Sequence, residues 1–135
     1  MKIFVDSSLL IYLNASKSPA LRKIYEDFYI SLFSDYKAYS DVIVLDELIY
    51  ISKKKYNIPY EVTLEFTDSI VLPYVEILPL GEKEYEKASE ILKTYNAKPS
   101  DALHVAAMNV NNVLMIASED RDFEKIEGLK RVWLA

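Results

Sequence analysis

Apolar and polar positions change rhythm repeatedly along this chain. Lys2 to Val5 is a short β-branched and aromatic run ending at Asp6-Ser7-Ser8, residues that favour turns and helix starts, so a strand followed by a helix is predicted. From Ser18 to about Tyr36, Leu21, Ile24, Tyr25, Phe28 and Leu32 recur at helical spacing behind Ser18-Pro19, an N-cap followed by a proline in the first turn. Ala38 to Ser40 predicts a second strand, and Asp41 to Tyr56 a helix closed by Lys53-Lys54-Lys55, cations that suit the C-terminal end of the helix dipole. Pro59 to about Tyr74 reads as another helix and Val75 to Leu78 as a strand. Between Gly81 and Tyr95, Tyr85, Ala88, Ile91 and Leu92 form one stripe with Glu and Lys elsewhere, the pattern of an amphipathic helix. Pro99-Ser100-Asp101 opens a helix running to about Val110. Val113 to Ala117 is an uninterrupted apolar run, as expected of a strand buried on both faces, and Arg131 to Leu134 predicts a last strand.

Strands alternating with helices imply crossover connections, and hence a mostly parallel sheet covered by helices on both sides: a three-layer α/β/α sandwich. No stretch is rich enough in Ser, Gly or Pro to serve as a linker and no repeat is visible, so residues 1–135 are expected to form one domain. In such sheets ligands bind where strands end, at the point where strand order reverses.

Composition narrows the chemistry. Sixteen Lys and Arg against twenty-one Asp and Glu leave a net charge of −5, so no overall positive field draws the protein onto nucleic acid, and an anionic substrate has to be held locally. With two glycines, Gly81 and Gly128, neither a P-loop nor a dinucleotide-binding fingerprint can be written. The absence of Cys removes disulfides, thiolate zinc sites and Cys nucleophiles, and one histidine, His104, excludes any two-His metal motif. The opening MKIFVDSSLLIYL carries an apolar run interrupted by Asp6, too short for a signal peptide or membrane span, so a cytoplasmic protein is expected. What remains for chemistry is mainly carboxylate.

Each acid has an ordinary explanation when taken singly. Asp6, directly after the first strand, can serve simply as a helix cap. Glu47 falls at the edge of the apolar stripe Val44, Leu45, Leu48 and Ile51, where it either tilts out to water or is matched to a cation, while Asp46 falls on the outer face. Asp101 sits in a first helical turn, a favourable place for an acid. His104, one turn on, reads as a buried, satisfied histidine with no assigned role. Ser118-Glu119-Asp120-Arg121-Asp122-Phe123 follows the most apolar strand, where three acids in four residues can be a plain solvated turn. Taken together, two groups of acids follow strands, one acid opens a central helix and one borders a buried stripe. Like charges gathered at one sheet end need a cation, and hard oxygen donors point to Mg²⁺ or Mn²⁺. A carboxylate site with open water positions suits phosphodiester hydrolysis.

FVDSSLLIYL, DELIYI, KPSDALHVAAM and IASEDRDF, in that order and spacing, resemble the PIN-domain ribonucleases, especially the small VapC-type toxins of toxin–antitoxin pairs. The resemblance covers essentially the whole chain. It implies that Asp6, Glu47, Asp101 and Asp120 bind the metal, with Asp122 assisting, and that the product is cleaved RNA. Ser118 stands where the family usually has Thr, a swap that keeps a hydroxyl able to orient a neighbouring acid. Ser8 replaces an Asn common at the end of the first strand, a shorter hydroxyl in place of an amide. The resemblance further implies a homodimer held inactive by an antitoxin. Lys98 and Lys53 to Lys55 are candidate phosphate contacts. Rival readings are an RNA-processing nuclease outside any toxin pair and a domain that binds RNA or protein without cleaving. For the latter, tyrosines could supply stacking surfaces, although Tyr25 and Tyr85 read more simply as core or half-buried positions. An aspartyl-phosphate phosphatase would need a second acid at position 8, where Ser8 stands.

Overall fold

The computed structural model describes residues 1–134. Five strands, β1 (Lys2–Val5), β2 (Lys37–Asp41), β3 (Val75–Leu78), β4 (Met115–Ala117) and β5 (Lys130–Val132), form one sheet in the order β3-β2-β1-β4-β5, every pair parallel. Helices α1 (Ser7–Ala15) and α2 (Pro19–Asp35) join β1 to β2, α3 (Val42–Tyr56) and α4 (Tyr60–Phe66) join β2 to β3, and α5 (Glu82–Thr94) and α6 (Pro99–Val110) join β3 to β4. Right-handed crossovers put α1 to α4 on one face, because both connections step outward in the same direction, and α5 and α6 on the other. The expected three-layer α/β/α sandwich is therefore the fold. Phe4, Val5, Leu9, Leu10, Leu48, Val105, Met108 and Ile116, all fully or almost fully buried, fill the space between the layers.

Local chemistry explains most element boundaries. Ser18 accepts the Leu21 amide ahead of Pro19, and Asp41, the last residue of β2, accepts the Val44 amide at the start of α3. Asn57 ends α3 in the left-handed region at φ 57°, one of the few conformations Asn adopts more readily than other non-glycine residues.

Four expectations need correction. The helix from Pro59 does not run unbroken to Tyr74: after Phe66 it passes into a π-helical turn, Thr67–Val71, closed by the Leu72 amide on the Thr67 carbonyl. Thr67 Oγ1 donates to the Thr63 carbonyl at 2.8 Å, occupying an acceptor of the regular ladder and favouring the wider turn. The strand predicted from Val113 starts at Met115, because the Val113 amide still caps α6 on the Met108 carbonyl and Leu114 faces solvent. In α2, Leu21 and Ile24 are exposed, and the buried positions are Tyr29 and Leu32. Tyr85 is 65% exposed; the inward stripe of α5 is Glu84, Ala88 and Ile91, with Glu84 accepting the Gly81 amide at 2.7 Å.

No helix among the described residues is long and apolar enough to cross a membrane.

Candidate active site

Strand order reverses between β1 and β4, and the residues that leave these two strands meet there. Asp6, 6% exposed, follows β1 and N-caps α1: its Oδ1 accepts the Ser7 amide at 2.8 Å and its Oδ2 accepts the Ser118 hydroxyl at 2.6 Å. Ser118, fully buried just past β4, uses the same Oγ to accept the Asp120 amide at 3.1 Å. Asp120 in turn accepts the Asp122 amide at 2.9 Å and caps a single 3₁₀ turn, Arg121–Lys125, that sequence periodicity did not reveal. The loop is tied down by Arg131, whose guanidinium donates to the Ser118 carbonyl. Ser8 accepts the Glu119 amide at 3.2 Å, and Glu119 accepts the Tyr12 hydroxyl at 2.7 Å, so α1 grips the loop after β4 from a second side.

Glu47 approaches from α3, half-buried at the edge of the apolar stripe, with Asp46 turned outward as expected. Its Oε2 accepts the Ser7 hydroxyl at 3.4 Å, and its Oε1 lies 3.4 Å from His104 Nε2. His104, from α6 on the opposite face of the sheet, is fully buried, and its Nδ1 donates to Asp41 Oδ2 at 2.7 Å. Burial opposes a charge on this ring, but the bonds from Asp41 and Glu47 outweigh it and push its pKa up to about 10, so the imidazolium is charged at neutral pH.

Asp101, in the first turn of α6, completes the group. Burial, then the charge of Asp6 and that of Asp120, raise its pKa to about 6 against the pull of His104 and Lys98. Asp6 is also raised, by burial above all and by Glu47, against His104 and the bonds from Ser118 and Ser7. Lys98, Asp101 and Asp122 line a common cavity of about 190 Å³ with Tyr95, Phe123 and Ile126. Asp122, on the wall of that cavity, forms an ion pair with Lys125 at 3.2 Å.

The electrostatics therefore couple Asp6 with Glu47 and Asp101 with Asp6 and Asp120, drawn from four separate segments. Lys98 lies beside them. Lys53, Lys54 and Lys55 do not: helices that return along a parallel sheet run opposite to its strands, so the end of α3 lies at the far edge, where these ammonium groups sit over Tyr60, Tyr50 and Tyr56. Sequence reasoning missed Asp41 as a partner of this edge. Its first oxygen announces itself as a cap, but the partner of its second lies sixty-three residues away in sequence.

Hard carboxylate oxygens whose charges resist joint ionisation fit a hard divalent cation better than any soft metal. Among the described residues no three acids or imidazoles already converge as a ligand cage; Asp6 is engaged by Ser7 and Ser118, and Glu47 is drawn toward His104 and Ser7.

Comparison with known proteins agrees with this fold. The chain is 28% identical over 133 residues to ribonuclease VapC13 of Mycobacterium tuberculosis, covering 96% of this chain and 98% of that protein. It is likewise 28% identical to ribonuclease VapC6 of Methanocaldococcus jannaschii, over 95% of this chain and 94% of that one. Its fold is similar to that of VapBC2 from Rickettsia felis bound to a promoter DNA fragment, with a TM-score of 0.71, 20% identity and 98% of each chain covered. It is also similar to VapC20 of Mycobacterium tuberculosis, a sarcin–ricin-loop-cleaving toxin, with a TM-score of 0.71, 17% identity and 92% and 94% covered. The family description that matches is that of the PIN domain, over residues 3–129, and the chain accordingly belongs to the PIN domain family.

Proposed function

We propose that this chain is a VapC-like endoribonuclease that hydrolyses RNA phosphodiester bonds with Mg²⁺ or Mn²⁺ held by Asp6, Glu47, Asp101 and Asp120. The observation that carries this reading is the coupling of these acids at the reversal of strand order, where the charges of Asp6 and Asp120 oppose the ionisation of Asp101. A divalent ion at such a site activates water and steadies the oxygen that leaves. The chain's own residues do the rest. Ser118 fixes the orientation of Asp6 and, through its contact with the Asp120 amide, the start of the acidic loop. Lys98 brings an ammonium to the rim beside Asp101, where it meets the phosphate of an incoming strand. Hydrolysis joins a water oxygen to phosphorus, breaks one P–O bond and hands the water proton to a carboxylate of the site. Asp122 assists from the rim of the same cavity, and Ser8 supports the loop rather than touching substrate.

Similarity to VapC ribonucleases, and to solved complexes such as DNA-bound VapBC from Salmonella typhimurium with a TM-score of 0.70, supports a toxin neutralised by a cognate antitoxin; the same reading makes it a cytoplasmic homodimer. The test is cleavage of single-stranded or loop RNA by the purified protein. Cleavage is expected with Mg²⁺ or Mn²⁺ and not with EDTA, and Asp101→Asn is expected to lower the rate by two orders of magnitude or more, roughly 2.7 kcal/mol in the barrier. An Asp101→Asn protein as fast as the parent, with the same metal dependence, would sink the assignment. A neighbouring reading frame without a small partner protein would favour an RNA-processing role outside any toxin pair.

A further inference from the structure

His104 reaches from the α5–α6 layer across the sheet's end toward α3. Three features make this contact a built one. Asp41 is anchored first, by the Val44 amide on Oδ1 at 3.0 Å, at a position fully closed to solvent. Its second oxygen then accepts His104 Nδ1 at 2.7 Å, which fixes the plane of a ring that is itself fully buried and packed on Phe4. With the ring fixed, Nε2 is presented to Glu47 Oε1 at 3.4 Å, while Ser7 takes the other oxygen. A histidine needed only for core packing would have no reason to aim its second nitrogen at a half-exposed carboxylate at the mouth of the site.

We infer that Asp41 and His104 form a positioning pair that sets the orientation of Glu47 for metal binding. The inference rests on the reading of Glu47 as a ligand. Its physical basis is general: groups that hydrogen-bond a ligating carboxylate orient it, and their loss typically costs 10–100-fold in metal affinity. His104 does not touch the ion or the substrate; it acts through Glu47.

The two ring nitrogens can be tested apart, because Asn places an amide nitrogen near the position of Nδ1 and Gln places one near Nε2. Calorimetric titration with Mn²⁺ of the whole chain, alongside melting curves in EDTA, reads both halves. His104→Asn is expected to keep the bond to Asp41 and to weaken Mn²⁺ binding on the order of tenfold. His104→Gln is expected to melt lower, having abandoned Asp41, yet to bind Mn²⁺ more tightly than His104→Asn. In a Glu47→Gln background, adding His104→Asn is expected to cost no further affinity, since the two act as one unit. Parent-like binding by His104→Asn, or a full additional loss in the double variant, overturns the inference while leaving the nuclease reading intact. Parent-like binding by Glu47→Gln shows instead that Glu47 is no ligand, and removes the reading and the inference together. If His104→Asn does not fold, Asp41→Asn, which keeps the cap on α3 and removes the charge that anchors the ring, carries the same expected loss and the same reversal.

Discussion

A single hydroxyl, that of Ser118, joins the two acids that follow β1 and β4: it donates to Asp6 and accepts from the Asp120 backbone while fully buried. Ser118→Ala leaves an Asp6 oxygen without its donor and the Asp120 amide without its acceptor, a change that typically costs about 1–3 kcal/mol at buried positions. Ser118→Thr keeps both bonds. The Ala variant is expected to melt several degrees lower and to lose most RNA cleavage, and the Thr variant to match the parent; an Ala variant with full activity would show that Asp6 needs no orienting. Half of this role was legible in the sequence: the resemblance implied a hydroxyl able to orient a neighbouring acid, which matches the local contact with Asp120, whereas the bond to Asp6 spans the chain and has no local signal. The partnership of Asp41 with His104 was not legible, since nothing local to either residue reports a contact between a strand end and a helix on the opposite face.

At the scale of elements, strand and helix order could be read from periodicity because helices begin at caps such as Asp6, Ser18 and Asp41 or at prolines such as Pro59 and Pro99, and β1 and the core of β4 are compact apolar runs. What periodicity blurred was how helices end and which faces they bury. The π-helical turn is accompanied by one threonine hydroxyl bonded back to the Thr63 carbonyl, and the apolar residues of α2 and α4 are divided between the core and the surface. Val71 is fully buried, whereas Val62, Leu64, Ile70 and Leu72 are 40–51% exposed along α4 and the turn that follows it. An apolar strip of that kind suits contact with a second copy, and two-fold pairing is the commonest way to cover it. Light scattering is expected to give about 31 kDa, twice the 15.6 kDa chain, and Leu64→Lys to shift the mass toward one chain with helix content unchanged. A parent that stays at one chain mass at high concentration would rule this out.

For the whole molecule, the acids at the sheet's end make stability depend on protons and metal in a direction that can be worked out. Asp101 has a folded pKa of about 6 against an ordinary 3.8, so between these values the folded state holds a proton that the unfolded state has released. Stability of the metal-free protein therefore falls as pH rises from about 4 to 6, and Asp6, also raised, acts in the same sense. His104 has the opposite charge but the same sign of effect. Its folded pKa of about 10 against 6.5 gives stability that is fully present below 6.5 and is lost as pH climbs toward 10. Subtracting the stability of Asp101→Asn from that of the parent isolates the first contribution, because Asn never ionises. In EDTA the variant is expected to gain on the parent steadily between pH 4 and 6 and then to hold that advantage. Mn²⁺ narrows that advantage at pH 7. The parent gains RT ln(1 + [L]/Kd), about 2.7 kcal/mol with metal a hundredfold above its dissociation constant, and the variant gains little. Below pH 6 the parent's gain shrinks, because the ion competes with the proton on Asp101. Melting curves of both proteins across this range, with EDTA and with Mn²⁺, read all three effects. A parent whose stability relative to Asp101→Asn rises between pH 4 and 6 would mean that Asp101 is not crowded by its neighbours, and equal Mn²⁺-induced shifts in the two proteins would mean that it does not hold a metal.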